Sequence, residues 1–239
     1  MNPPLLNATG RTLLLTGAAG GIGLAIAEQF AQAGGRVFGL DRTTPPQAGF
    51  DYAPCDLTDE AQVDAAVAQA GARLGRIDHV VHAAGAVGEG RLETTSLAEW
   101  RRVMDANLTS AFLLARACAE PLRAAEGSLV LLSSTNGRNG GSHLSGAAYA
   151  TAKAGLINLT RYLAKEWAPQ VRVNAIAPGP VETPMLDRLS EAERAGLSRL
   201  MLTQRLTEAQ EVARATCFLL GAPSLTGVVL NISGGLLLD

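Results

Sequence analysis

Thr12-Leu13-Leu14-Leu15-Thr16-Gly17-Ala18-Ala19-Gly20-Gly21-Ile22-Gly23 is the stretch on which the reading of this chain turns. Its first five residues are apolar or β-branched without alternation, the pattern of a strand covered on both faces inside a parallel sheet. Glycines 17, 20, 21 and 23 follow at once. They let the backbone turn sharply and approach a ligand closely, while a helix starting there offers free N–H groups and the positive end of its dipole to a pyrophosphate. The spacing is T-G-x-x-x-G-x-G, not the G-x-G-x-x-G of the general dinucleotide fingerprint. A turn that only packs a helix onto a strand has the same appearance, so the motif needs company.

Six more short runs rich in leucine or β-branched residues follow, near Arg36–Leu40, Tyr52–Pro54, His79–His82, Leu129–Ser133, Arg172–Ile176 and Val228–Ile232. Between them Ile22–Ala33, Glu60–Arg73, Leu97–Ala125, Ala147–Trp167 and Glu208–Leu220 carry apolar residues at helical spacing, and Leu97–Ala125 is long enough for one helix or two. This alternation predicts an α/β fold: a single-domain, Rossmann-type, doubly wound parallel sheet of about seven strands with helices on both faces. Functional residues should then follow strand ends. Pro178 to about Thr207 is the longest stretch without a clear element, and residues 185–205 within it, with Met185, Leu186, Leu200 and Leu202, read as a substrate lid.

Hydrophobic residues make up 47% and charged residues 18% of the 239, which excludes disorder and fits one domain over residues 1–239. A net charge of -2 gives no electrostatic footprint for nucleic acid or an anionic membrane. Cys55, Cys118 and Cys217 are far apart, with no histidine at ligand spacing, so they read as buried thiols in a reducing compartment and no metal site is expected. Met1–Asn7 has no positive segment ahead of an apolar one, so a cytoplasmic protein is expected. The uncharged run Thr12–Ala27, at 16 residues, is too short to span a bilayer.

Asp41 closes the second strand 18 residues after Gly23, where a carboxylate can accept hydrogen bonds from an adenosine ribose. Asp56 could accept from an adenine amino group or cap the helix after it, near Thr58 and Asp59. Tyr149 and Lys153 stand four apart on one face of a helix start. An ammonium near a phenol favours the phenolate and would bring tyrosine down from its usual ~10 toward a working pH. The pair alone is a weak signal. Ser133 and Ser134 strengthen it, since they place hydroxyls at the carboxyl edge of the sheet just upstream.

Together these residues resemble the short-chain dehydrogenase/reductase family from Thr12 to about Gly235. The resemblance lies in the glycine turn, Asp56-Leu57, His82-Ala83-Ala84-Gly85, Asn107, the serine pair, Y-x-x-x-K, and Pro178-Gly179 followed by Thr183. It implies a catalytic tetrad of Asn107, Ser134, Tyr149 and Lys153, with Tyr149 as acid/base, Ser134 hydrogen bonding the substrate oxygen, and Lys153 also holding the nicotinamide ribose. Asn107, through its backbone carbonyl and a water, would link Lys153 to a proton path. The implied cofactor contacts are Gly17, Gly21, Ile22, Gly23, Asp41, Asp56, Leu57, Ala83, Ala84, Gly85, Tyr149, Lys153, Val181 and Thr183.

The activity so implied is an NAD-dependent interconversion of a secondary alcohol and a ketone, in a homodimer or homotetramer. Asp41 argues for NAD, because a carboxylate there repels a 2'-phosphate. An NADPH-dependent beta-ketoacyl carrier-protein reductase is the second reading, and a non-catalytic dinucleotide-binding protein the third. Three departures stand out. His82 replaces the family's usual asparagine, the loop 135–146 between Ser134 and Tyr149 is about two residues long for the family, and Ser233 stands where aspartate is common. The longer loop leaves Ser133, Ser142 and Ser145 as lesser candidates for the serine, and His143 stays outside the catalytic set.

Overall fold

In the computed structural model, residues 6–43 and 49–238 are described. Met1–Leu5, part of the segment read above as lacking a secretion signal, lie outside them. The elements run β1 (Thr12–Thr16), α1 (Gly21–Gln32), β2 (Arg36–Asp41), β3 (Asp51–Pro54), α2 (Glu60–Leu74), β4 (His79–His82), α3 (Leu97–Met104), α4 (Ser110–Ala125) and β5 (Ser128–Leu132). They continue with α5 (Asn136–Asn139), α6 (Gly146–Glu166), β6 (Arg172–Pro178), β7 (Val181–Glu182), α7 (Glu191–Leu200), β8 (Thr207–Glu208), α8 (Ala209–Gly221) and β9 (Val229–Ile232).

Seven strands form one parallel sheet in the order β3-β2-β1-β4-β5-β6-β9. Alternate side chains along each strand point to opposite faces. Leu14, Val80, Leu129, Leu131, Val173 and Ala175 accordingly pack beneath α2, α4 and α6. Leu13, Leu15, Val81, Val130, Leu132 and Ile176 pack against α1 and α8 on the other face. The order reverses between β1 and β4, and the crevice beyond their carboxyl ends is the place where such sheets bind ligands.

Leu97–Ala125 follows one continuous helical path, because Met104, Asp105, Thr109 and Ser110 all keep right-handed helical dihedrals. It is interrupted by a π turn over Asp105–Thr109. The stretch read as irregular holds structure of its own: a short bridge of β7 with β8, a 3-10 turn at Pro184–Leu186, and α7 started by a Ser190/Glu193 capping box. Among the described residues no helix is long and apolar enough to cross a membrane, and no cluster could hold a metal ion. All three cysteines are free and buried.

Candidate active site

Gly17 sits at φ +69, and a Cβ there would lie 2.6 Å from the Ala84 nitrogen. The turn after β1 is thereby pressed onto the segment after β4. At Gly23 a Cβ would come within 2.0 Å of the Gly17 carbonyl oxygen, so glycine is required where α1 meets its own turn. Gly20 caps α1 without a side-chain hydrogen bond, and no acidic residue stands in the first turn. The first amides of α1, at Gly21, Ile22 and Gly23, therefore face outward without an intrahelical acceptor, as an anion would require. Thr183 closes this end from the opposite side, its methyl 3.0 Å from where a Gly21 Cβ would be.

The Asp41 carboxylate enters the same turn. Its Oδ2 accepts the Ala19 N–H at 3.1 Å, and its Oδ1 accepts from the Thr43 amide and hydroxyl at 3.3 Å each. Asp56 does not cap α2. That place belongs to Asp59, which accepts the Gln62 N–H, whereas Asp56 accepts from the Thr58 amide at 3.0 Å and its hydroxyl at 2.8 Å. Asp56 and the buried Leu57 follow β3, the strand beside β2 at the edge of the sheet.

On the other side of the crevice, α6 brings Tyr149 and Lys153 up against the end of β5. The two serines, just past the end of β5, turn their hydroxyls to different partners. Ser133 donates to the Lys153 carbonyl at 2.7 Å and anchors α6, while the Ser134 hydroxyl faces the Tyr149 phenol and accepts the Asn136 N–H at 3.1 Å. Ser145 is occupied with Asn136 at 2.8 Å, and Ser142 with the Leu144 amide at 3.3 Å. Ser134 is thus the serine at the phenol. The long loop folds its surplus into α5, whose Gly137 lies so close to α6 that a Cβ would be 2.6 Å from the Lys153 carbonyl carbon.

Lys153 Nζ donates to the Leu132 carbonyl at 2.7 Å and stands 5.4 Å from the Tyr149 ring centroid. Burial pushes Lys153 down to about 7 and Tyr149 up to about 12, the latter against a smaller pull from Ser134 and from Arg188. The expected lowering of the phenol by the ammonium is therefore reversed in the free protein. The cause is desolvation, which raises the phenol and at the same time lowers the lysine whose charge would have favoured the phenolate.

Asn107 lies in the π turn, fully buried, and its Nδ2 donates to the Ala86 carbonyl at 2.7 Å and the Val103 carbonyl at 2.8 Å. Its Oδ1 has no partner and points at Gly85, where a Cβ would be 2.5 Å away and also 3.4 Å from Lys153 Nζ. Sequence reading found Asn107 but not the π turn that aims it, since helical spacing alone does not register one extra residue in a turn. Val181 is buried, and Thr183 Oγ1 donates to its carbonyl at 3.3 Å. Ser233 is buried and bonds within the C-terminal turn to Leu237, in keeping with a structural reading.

A glycine turn at the switch point of a parallel sheet, facing a tyrosine and a lysine on one helix face, defines a nucleotide-binding oxidoreductase of doubly wound architecture. A family profile described as enoyl-(acyl carrier protein) reductase matches residues 17–237. The 3-oxoacyl-(acyl-carrier-protein) reductase FabG of Escherichia coli is 35% identical over 245 aligned positions, covering 97% of this chain and 99% of the relative. Among solved structures, the ligand-free aldohexose dehydrogenase of Thermoplasma acidophilum superposes with a TM-score of 0.92 at 31% identity, covering 97% of this chain and 96% of the other. A glucose/ribitol-type short-chain dehydrogenase/reductase from Brucella melitensis gives 0.90 at 30%, covering 98% and 99%. The chain belongs to the short-chain dehydrogenase/reductase family and is an oxidoreductase.

Proposed function

We propose that this protein interconverts a secondary alcohol and a ketone, with Tyr149 as general acid/base, Ser134 as hydrogen-bond donor to the substrate oxygen, and NAD(H) as its dinucleotide. The observation that carries the reading is the convergence of Ser134 and Lys153 on Tyr149 beside the crevice. A bound nicotinamide supplies the hydride donor or acceptor. The chain supplies the rest, which is positioning and proton transfer. The Gly21, Ile22 and Gly23 amides fit a pyrophosphate, Asp41 and Asp56 the adenosine, Ala83–Gly85 its flank, Lys153 the nicotinamide ribose, and Val181 and Thr183 the carboxamide.

With its phenol raised to about 12, Tyr149 is protonated at neutral pH and ready to give its proton to a developing alkoxide. In the oxidative direction the phenolate must form first. Alcohol oxidation should therefore rise with pH through and beyond about pH 9, while ketone reduction stays flat or falls, as parallel kcat/KM profiles would show. The direct test is Tyr149→Phe. The variant should lose turnover by roughly 10²-fold or more while binding NAD nearly as before, and retention of more than about a tenth of turnover would exclude Tyr149 as acid/base.

The preference for NAD over NADP rests on Asp41, whose carboxylate already occupies the turn that a 2'-phosphate would approach. The similarity to 3-oxoacyl-(acyl-carrier-protein) reductases favours a second reading, a reductase of 3-oxoacyl thioesters, for which NADPH would be the hydride source. Comparing kcat/KM for the two cofactors with one ketone substrate separates the readings. We also assign the protein to the cytoplasm as a homodimer or homotetramer. Phe112 on α4 and Tyr162 on α6 support association, being exposed to 49% and 61% respectively. Light scattering giving the mass of a single chain at micromolar concentration would contradict it.

A further inference from the structure

We propose that His82 is a positioning residue for proton transfer, holding the π turn that carries Asn107 through the proton on its Nε2. The inference builds on the assignment of Asn107 to a proton path. His82 ends β4 and is fully buried. Its Nδ1 lies 2.9 Å from Thr16 Oγ1 and its Nε2 3.2 Å from Ser110 Oγ. Ser110 has one proton, and it goes to the Ala106 carbonyl at 3.0 Å. Its oxygen can therefore only accept from the ring, which places the histidine proton on Nε2.

Nδ1 is then bare and accepts the Thr16 hydroxyl proton, leaving the Thr16 oxygen to accept the Ala84 N–H at 3.4 Å. The result is one directed chain: Ala84 amide, Thr16, His82, Ser110, Ala106 carbonyl. It joins the segment after β4 to the π turn through the ring. The backbone carbonyl of Asn107 lies beside the imidazole, whose one proton is already committed to Ser110. That carbonyl is the group assigned to the relay water, and the ring holds its peptide in place through Ser110 and the carbonyl of Ala106 one residue before it. Burial, and behind it the charge of Lys153, push His82 down to about 3, so the ring stays neutral and its polarity constant at working pH.

The arrangement explains how an ordinary family asparagine can be replaced here without orphaning Thr16 or Ser110. An imidazole offers one acceptor and one donor on opposite sides of a rigid ring.

The test uses the full chain with NAD and one alcohol substrate. Nitrogen-15 spectra of the wild type should show a bare Nδ1 and protonated Nε2 from about pH 5 to about pH 9. His82→Leu should lower kcat about tenfold, with the substrate KM and dinucleotide Kd within about threefold of wild type, while His82→Gln, which keeps a donor near the Nε2 position, retains most of kcat. Ser110→Ala should lower kcat about threefold and raise the solvent deuterium isotope effect. An Nδ1–H tautomer would overturn the proposal, as would full turnover in His82→Leu or equal losses of kcat and affinity in the Leu and Gln variants. If His82→Leu does not fold, the tautomer and Ser110→Ala decide the matter. Tyr149→Phe retaining turnover alongside the Nε2–H tautomer would count against the reaction assignment and not against the hydrogen-bond chain.

Discussion

The two ends of the central sheet differ in how they treat their buried ionisable groups. At the amino-terminal end Asp78, 1% exposed, is fully matched: Arg11 meets it at 2.9 Å, Arg76 at 2.6 Å, and the Thr12 amide and hydroxyl at 3.0 Å each. Next to it His79 pairs with Ser128 at 2.8 Å. At the carboxyl end the His82 chain is matched, but among the described residues Lys153 Nζ has a backbone carbonyl and no carboxylate, Asn107 Oδ1 has no hydrogen-bond partner, and Tyr149 is desolvated. A protein leaves groups unmatched where a ligand is to complete them and matches them where only stability is at stake. The difference teaches where binding energy is to be expected.

Substitutions at the two ends should therefore divide cleanly between activity and stability. Tyr149→Phe is the largest expected effect, the roughly 10²-fold loss of turnover given above, and it should leave the thermal midpoint nearly unchanged. A large fall in that midpoint would break the contrast. Asp78→Ala should do the converse, destabilising the fold by about 2 kcal/mol through the lost charge-assisted hydrogen bonds and the stranded Thr12 amide, with kcat preserved. Urea titration beside an activity assay measures both.

Burial raises the Asp78 carboxyl, but Arg11, Thr12 and Arg76 outweigh it and hold the group below its usual value. Its contribution is then present above the unfolded pKa of about 3.9 and is lost as pH falls through the lower folded value. The wild type should consequently unfold in acid more steeply than Asp78→Asn. A smaller effect is expected at Asp41→Ala, which should narrow the preference for NAD over NADP about tenfold, on the order of 1.4 kcal/mol. A preference for NADP already present in the wild type would exclude that role. The smallest belongs to the lid: Leu202, 70% exposed, can become Ser with a stability change within about 0.5 kcal/mol, and any effect should fall on substrate KM.

What could be read in the sequence follows the same division. The β1 turn was legible because sterics leave no freedom there: Gly17 and Gly23 have backbone atoms where a Cβ would stand. Strand alternation likewise revealed the sheet, with ends misplaced by a residue or two, as at β5, which begins at Ser128 and closes before Ser133. Ser134 could be named but not separated from Ser133 until their hydrogen bonds showed which hydroxyl anchors α6. The direction of the Tyr149 shift was not legible at all, because spacing places Lys153 nearby but says nothing of how deeply both groups are buried. The proposed lid was read as a region with apolar residues at helical spacing, but the bounds of α7 were not legible, since it is polar overall and buries none of its residues.

The π turn also has a consequence for how this chain tolerates insertions and deletions. One residue turns a helix by about 100°, so a single surplus residue at 105–109 sets the rotational phase of everything before it relative to everything after. Arg102, upstream, reaches the Val87 carbonyl at 3.1 Å, while Ser110, downstream, reaches His82. Deleting one residue here would give a more regular helix and yet swing Arg102 away from Val87. Point substitutions on the exposed side of this stretch should be tolerated, whereas a change in its length should not be.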